Sequence, residues 1–549
     1  MIAQRHRIRR QVLEVHAPEE VASEIQNELS RIQRQHLELI IDECCSELSS
    51  PDRIHRIDKL EVDLGHVSLQ SFETQLRQAL KSALRKALQS RIEILDREAR
   101  TSDQHPAAKS QLELVVYFAS TGTLPWWADS NHSRHLRDSI EFLLEHAPDD
   151  LAVLLRELAR HPRQLQRILL NCEDATLIAL FKVLSSPKPV SSQIGQQLLA
   201  IVRSHLFLSG HGSTSVRTLF WAAVLATAMR PVSSAAMERS SASITSVFWR
   251  RVFMQLAKDS PDLYRTIAGA IIRLVRGSES GLFNEMKAGL LEAVSEVENH
   301  YPGNLPREVA LELARLLRAA DASPDTSEFS SHVVVRHQAY ASEKRDMRDS
   351  QSFAQAMDEN RREQVRKKRN DERTNGLELA FADADSVYVE NSGLVILWIF
   401  LEPFFGRVNL LKNKSFKDTA ARHRAARLLQ YMATEDTSPP EYQMTLNKLI
   451  CGIDPEEILE FGPPVTEMEA EESANLISAV IENAPILRNM SHSGFRGSFL
   501  LRKGMLSAGE ASWILRVERE TFDLVLDRFP WSFSWIKLPW MEIPLGVEW

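Results

Sequence analysis

Hydrophobic positions along the first hundred residues change their period twice. Over residues 18–48, Val21, Ile25, Leu29, Ile32, Leu39 and Leu48 follow three- and four-residue steps, the spacing of one face of an amphipathic helix. Pro18 sits where that helix would begin, with Glu19 and Glu20 in its first turn, and Pro51-Asp52 breaks it. Leu60, Val62 and Leu64 then alternate with Lys59, Glu61 and Asp63 up to Gly65, the period of a half-buried strand. Phe72, Leu76, Leu80, Leu84 and Leu88 return to the helical step. With residues 6–15 read as an earlier strand, the order is strand, helix, strand, helix. That order predicts parallel strands joined by a right-handed crossover. Two strands alone are marginal in water, so the unit calls for more.

From 111 to 317 the pattern is helical, interrupted every 12–20 residues, and punctuated by Pro148, Pro162, Pro187, Pro189, Pro231, Pro261 and Pro302. Leu151, Leu154, Leu155 and Leu158 make one short apolar face, and Leu165, Ile168 and Leu169 the next. This predicts stacked short helices without a fixed repeat period and without sustained heptads. Residues 322–375 are polar; between 343 and 373 stand ten basic and eight acidic side chains, the mixture of a solvated linker or exposed helix.

The pattern turns apolar again at 388–398, too continuously for a surface helix. Residues 420–432 form an amphipathic stretch with Ala421, Ala425, Leu428 and Leu429 inward and arginines outward, and residues 446–451 a helix closed by Gly452. Another helix ends at Phe499-Leu500-Leu501-Arg502-Lys503-Gly504. Trp513, Leu515 and Val517 alternate as a strand, residues 520–527 make a helix, and a Trp- and Pro-rich segment follows. Five of the ten tryptophans fall between Trp513 and Trp549. Aromatic side chains of that size dominate core and interface energetics, so this segment should be docked. Its extended parts, near 513–517 or 531–538, are expected either to join the strand at 60–64 or to form a small sheet of their own.

At 549 residues the chain is long for one core. Its 44% apolar and 26% charged content is that of a soluble globular protein. A net charge of −8 argues against a chain-wide nucleic-acid footprint, and apolar runs stop well short of a bilayer's thickness. Cys44, Cys45, Cys172 and Cys451 are too few and scattered for a disulfide framework or a metal site, and are read as reduced, in a cytosolic setting. The basic stretch 1–10 is not followed by the apolar core of a secretory signal.

Candidate chemistry changes this picture little. No phosphate-binding loop, nucleophile elbow, zinc-protease motif or dinucleotide fingerprint is present. Ser209-Gly210-His211-Gly212-Ser213 lacks the lysine a phosphate loop needs, and His132 and His135 lack a third ligand. Glu469, Glu471 and Glu472 read as an exposed helix start, where acidic groups favour the dipole. Neither a catalytic residue nor a cofactor or metal site is expected.

Two stretches near the start carry a resemblance. Arg56-Ile57-Asp58-Lys59-Leu60-Glu61-Val62-Asp63-Leu64-Gly65, after His6-Arg7-Ile8-Arg9-Arg10-Gln11, resembles the opening of the tape measure proteins of contractile injection systems, the phage-tail-like particles of bacteria. Ser120-Thr121-Gly122-Thr123-Leu124-Pro125-Trp126-Trp127 is similar to a second signature of that family. The C-terminal part continues the likeness in order: Glu390-Asn391-Ser392-Gly393-Leu394, Pro440-Glu441-Tyr442, Leu446-Asn447-Lys448-Leu449, Phe499-Leu500, Pro530-Trp531, Leu538-Pro539-Trp540-Met541 and Val547-Glu548-Trp549. The likeness covers about 1–130 and 388–549; the middle matches only in being helical. It marks Arg56, Asp58, Leu60, Asp63, Gly65, Pro125, Trp126, Asn391, Gly393, Asn447, Lys448, Pro530, Trp531, Pro539, Trp540 and Trp549 as candidate interaction or motif positions.

The expected fold is therefore mainly α, with a small α/β unit over 1–100, an irregular helical middle over 101–321, a charged linker over 322–376 and an α+β C-terminal domain over 377–549. The resemblance implies a structural assembly protein that helps define the length of a particle's inner tube and sheath. Its partners would be tube, baseplate or cap proteins, with self-association open and neither nucleic acid nor membrane insertion involved. Assembly would take place in the cytoplasm, with or without incorporation into the particle. The rivals are an assembly chaperone or baseplate adaptor that is not retained, and an enzyme with a scattered site.

Overall fold

The computed structural model describes residues 6, 8, 11–16, 21, 25, 29, 32, 36–48, 55–57, 59–67, 71–101, 106–128, 134–185, 188–204, 213–230, 244–259, 283–300 and 386–549 other than 461 and 510. The described chain is mainly α, and its strands lie in the C-terminal part. The linker expected over 322–376 lies outside the described residues. Two compact units emerge, one formed by Met1–Ile244 together with Val387–Trp549 and the other by Thr245–Ser386.

In the first unit, helix α1 (Glu38–Leu48) packs on α2 (Phe72–Thr101). Leu37, Ile40 and Cys44 meet Leu80, Leu84 and Leu88, the four-residue rows that place side chains on one helix face. The strand expected over 60–64 does not form among the described residues. The segment keeps the period of two, with Leu60, Val62 and Leu64 half-buried between exposed neighbours. However, Leu60, Val62 and Leu64 pack against the α1–α2 cluster instead of pairing with another strand. Residues 11–16, read as part of the earlier strand, are exposed and irregular. Alternation records which side is covered; a strand also needs a neighbour for its backbone groups, and none is supplied here.

Seven short helices follow: α3 (Pro106–Thr121), α4 (His135–His146), α5 (Pro148–Leu158), α6 (Pro162–Asn171), α7 (Asp174–Leu184), α8 (Lys188–Arg203) and α9 (Ser213–Ala228). Pro148 and Pro162 open α5 and α6, where the missing N–H costs nothing. The prolines therefore divide one helical pattern into stacked pieces, and Leu114, Phe118, Leu143, Leu155, Ile168, Leu177, Phe181 and Trp221 are buried between them. In the second unit, α10 (Ile244–Asp259) meets α11 (Asn284–His300) at Gly289, where a Cβ would stand 2.5 Å from the Ser246 carbonyl oxygen.

The C-terminal part of the first unit has a core of its own, built wholly from residues between Val389 and Val547. Strand β1 (Ser386–Val389) leads into a buried 3₁₀ turn over Ser392–Leu397 and then α12 (Trp398–Arg407). A two-residue hairpin, β2 (Leu411–Lys412) and β3 (Ser415–Phe416), precedes α13 (Thr419–Thr434). Helices α14 (Thr445–Ile450), α15 (Glu467–Asn483) and α16 (His492–Phe495) complete the helical layer, α16 running on as a π-turn over Arg496–Leu500. Strands β4 (Gly504–Ala508), β5 (Trp513–Val517), β6 (Trp535–Ile536) and β7 (Leu545–Glu548) join β1 in a five-stranded sheet of order β1-β4-β5-β7-β6. Strand β5 pairs antiparallel with β4, Leu506 opposite Leu515, and parallel with β7, Leu515 opposite Val547. The extended segments of the tryptophan-rich end thus form a sheet of their own.

Gly393 lets the 3₁₀ turn after β1 close on the π-turn. A Cβ there would stand 1.6 Å from the Phe499 carbonyl oxygen, which only backbone movement could relieve. Gly393→Ala is expected to lower stability by about 3 kcal/mol or more. Gly406→Ala, in α12 with no atom within 4 Å of its Cβ position, should be neutral or gain up to about 1 kcal/mol. Urea unfolding followed by tryptophan fluorescence checks both; equal effects would refute the close-approach argument.

Candidate functional site

The motif positions fall into three groups. At the N-terminal end, Arg56 Nη1 donates to Glu113, and its guanidinium lies 4.0 Å from the centre of the Trp127 ring. This contact ties the first signature to the second. Asp63 accepts from the backbone N–H of Gly65 at 2.9 Å, closing a turn in which Gly65 has φ +67°. Leu60 is half-buried, and Asp58 lies outside the described residues. Pro125 is buried and its carbonyl accepts from Ala128 at 2.9 Å, with Trp126 half-buried beside it.

The second group is a buried polar triangle. Asn391 Nδ2 donates to Gln430 Oε1 and to Asn447 Oδ1, both at 2.7 Å, and Asn447 Nδ2 reaches the Ala426 carbonyl at 2.9 Å. All three side chains are buried. They join the 3₁₀ turn, α13 and α14 through bonds that need amides at fixed positions, which gives register as well as attachment.

Lys448 belongs to a different cluster, whose members come from segments far apart in the sequence. Its Nζ donates to Glu441 Oε1 at 2.6 Å and to the Pro455 carbonyl at 2.9 Å. Arg167, from α6, brings its Nε to 3.4 Å from the same carboxylate oxygen; Arg167, Glu441 and Lys448 are each at most 3% exposed. Arg167 also donates to the carbonyls of Ala119, at 2.7 Å, and Glu456. Asn171, one turn on, makes two reciprocal bonds: its Nδ2 to Glu441 Oε2 at 3.3 Å, and the Glu441 N–H to its Oδ1 at 3.1 Å. Tyr442 sets its ring edge-on to Phe118 at 6.0 Å. Gly122, at φ +77°, leaves 2.8 Å between its Cβ position and Glu441 Oε1. The second signature therefore meets Pro440-Glu441-Tyr442 and Lys448 in space, some 300 residues away along the chain. Burial pushes the Lys448 ammonium down from its ordinary value, against Glu441, which holds it up.

The third group is the tryptophan-rich end. Trp531 Nε1 donates to the Ile396 carbonyl at 3.0 Å and Trp540 Nε1 to the Ile450 carbonyl at 2.9 Å. Pro530 and Pro539, each beside one of these tryptophans, are exposed. Trp549 Nε1 donates to Asp523 Oδ2 at 3.0 Å; both oxygens of Asp523 accept from Arg502, at 2.5 and 2.7 Å. The Arg502 guanidinium lies 5.2 Å from the Phe522 ring and 5.3 Å from that of Trp549.

Arg167, Asn171, Glu456, Arg502 and Asp523 were not among the sequence candidates. Arg167 interrupts the apolar run Leu165–Leu170, the one local hint that it faces inward. Two outward assignments are corrected. Arg427 is 7% exposed within α13, and Glu469 is 8% exposed, accepting from Arg424 and closing a capping box with Thr466. Among the described residues no group of three or more His, Cys, Asp or Glu side chains could hold a metal ion, and no helix is long and apolar enough to cross a membrane.

The clusters are thus joints between elements, in which positions that carried the resemblance meet others that did not. A family model described as contractile injection system tape measure protein matches residues 5–549. The chain belongs to that family. Family membership makes it a structural protein of contractile injection systems, and it covers the helical middle that the sequence motifs left unmatched. No curated protein and no solved structure matches the chain.

The Asp523 joint has a definite pH response. Burial pushes this carboxyl up, but the bonds from Arg502, the Glu520 N–H and Trp549 outweigh it and leave the value below the ordinary aspartate range. A carboxyl depressed on folding stabilises above its unfolded value and loses that contribution as pH falls through the folded one. Docking of Trp549 is therefore expected to weaken below about pH 4, and Asp523→Asn to remove that step. Tryptophan emission against pH measures it; an unchanged acid limb in the variant would refute the assignment.

Proposed function

We propose that this tape measure family member takes part in building the inner tube and sheath of a contractile particle and helps to define their length. The observation that carries the reading is the way α3 and α6, at the start of the helical middle, and the C-terminal domain converge on Glu441, with a long stretch of chain between them in sequence. A length-setting chain needs an extendable middle held between two anchoring ends. As one continuous helix, residues 111–317 would reach about 310 Å at ~1.5 Å per residue. The proline-punctuated short helices of the free chain would have to separate to reach such a span. The ends would bind tube, baseplate or cap proteins during assembly in the cytoplasm.

A second reading is favoured by those same packed helices: an assembly chaperone or baseplate adaptor that works folded and leaves before maturation. Mass spectrometry of purified particles and of assembly intermediates distinguishes the two, since a ruler is present in one or the other.

Deleting or duplicating whole helices between α4 and α9 is expected to shorten or lengthen particles in proportion, by up to ~1.5 Å per residue, as measured by electron microscopy. Particles of unchanged length would exclude the length-setting role.

A further inference from the structure

We infer that the cluster around Glu441 is a releasable clasp: the helical half (α3–α9) and the C-terminal half of the first unit are separately cored bodies held shut by it. The inference rests on the proposal that the chain works in an extended state, and names the joint at which extension starts.

Three observations support it. The C-terminal core is closed on itself, every buried member lying between Val389 and Val547. Tyr442, which meets Phe118 of the helical half edge-on, is absent from that core. Directional polar contacts cross: Arg167 to Glu441 and to the Glu456 carbonyl, Asn171 to Glu441 in both directions, and Tyr442 to the backbone of His135, beside the Phe118–Tyr442 ring pair. A buried charge set of this kind adds little net stability over apolar packing.

The set is also incompletely matched. Arg167 and Lys448 bring two cations to one fully buried carboxylate, and Arg167 Nε has no hydrogen-bond partner. Lys448 and Glu441 lie in the same half, seven residues apart, and neutralise one another without Arg167. Withdrawal of α6 therefore leaves a paired site behind rather than a bare buried charge, and the guanidinium goes to water. Once the clasp is open, the covalent link between the halves is the second unit, Thr245–Ser386.

The test uses the full free chain, so it is independent of particle length. Arg167→Met removes the ion pair and the hydrogen bond to the Glu456 carbonyl, and is expected to raise the open fraction by about two orders of magnitude. Native-state hydrogen exchange should then show the amides of 118–124 and 440–443 exchanging about a hundredfold faster together while both cores stay protected. Unchanged exchange at those amides would overturn the clasp, as would faster exchange spreading through both cores, since the halves would then share one cooperative core. Should Arg167→Met not yield soluble protein, Asn171→Ala with the same readout serves instead, and the same two outcomes would equally overturn it.

Discussion

A carboxylate removed from water between two cations is the constraint on which the first unit depends. Glu441 is 1% exposed, and an unpaired charge at that depth would cost several kcal/mol. Its neighbours are consequently determined. Lys448 must stand seven residues on, at the inner face of α14, and Arg167 and Asn171 must present one face of α6. Gly122 must remain a glycine, because its backbone is left-handed and a Cβ would press on the carboxylate. Such a site selects which face of the helical stack meets the C-terminal half more than it adds to stability, because apolar packing of similar volume is commonly as stable or more so. Apolar surfaces alone would permit several docked registers; this arrangement of donors admits one.

The tryptophan-rich end solves a separate problem inside the C-terminal half. Helix ends leave carbonyls without partners, and here indole N–H groups supply them. Trp540 reaches the carbonyl of Ile450, the last residue of α14, while Trp531 reaches Ile396 in the 3₁₀ turn. The chain reversal beside α14 depends on the same approach: Gly452, at φ +68°, would place a Cβ 2.4 Å from the Trp540 carbonyl oxygen. Rings of Phe400, Trp531, Phe529, Phe533 and Trp549 then meet edge to face in succession. The exposed prolines beside Trp531 and Trp540 stiffen the segment, so little flexibility is lost when it docks.

Local signals were legible where they sufficed to define an element. Alternation of Trp513, Leu515 and Val517 marked β5 to the residue, Gly452 marked the stop after α14, and prolines marked the starts of α5 and α6. The strand expected at 60–64 shows the limit. Its period of two survives as a burial pattern, but pairing is a property of two segments, and the second never arrives. Charged residues show the same limit from the other side. Arg427 and Glu469 were assigned to solvent because a helical wheel gives charge an outward default, and their partners lie on other elements. Motif resemblance singled out Asn391, Asn447 and Lys448 without saying what they do, and missed Arg167, Arg502 and Asp523, whose roles exist only once distant segments meet.

That distinction relocates the switch between closed and open chains. The aromatic end would have been that switch had its extended parts joined the strand expected at 60–64. Its docking is internal: β5, β6 and β7 complete one sheet, and the indoles are committed to carbonyls of the same half. Separating the helical stack would therefore leave the tryptophans where they are. Among the bonds such a separation must break are those from Arg167 and Asn171 to Glu441 and the Glu456 carbonyl. Those bonds weaken together, because each holds the others' geometry. The aromatic end keeps one half folded while the buried carboxylate decides whether the two halves stay together.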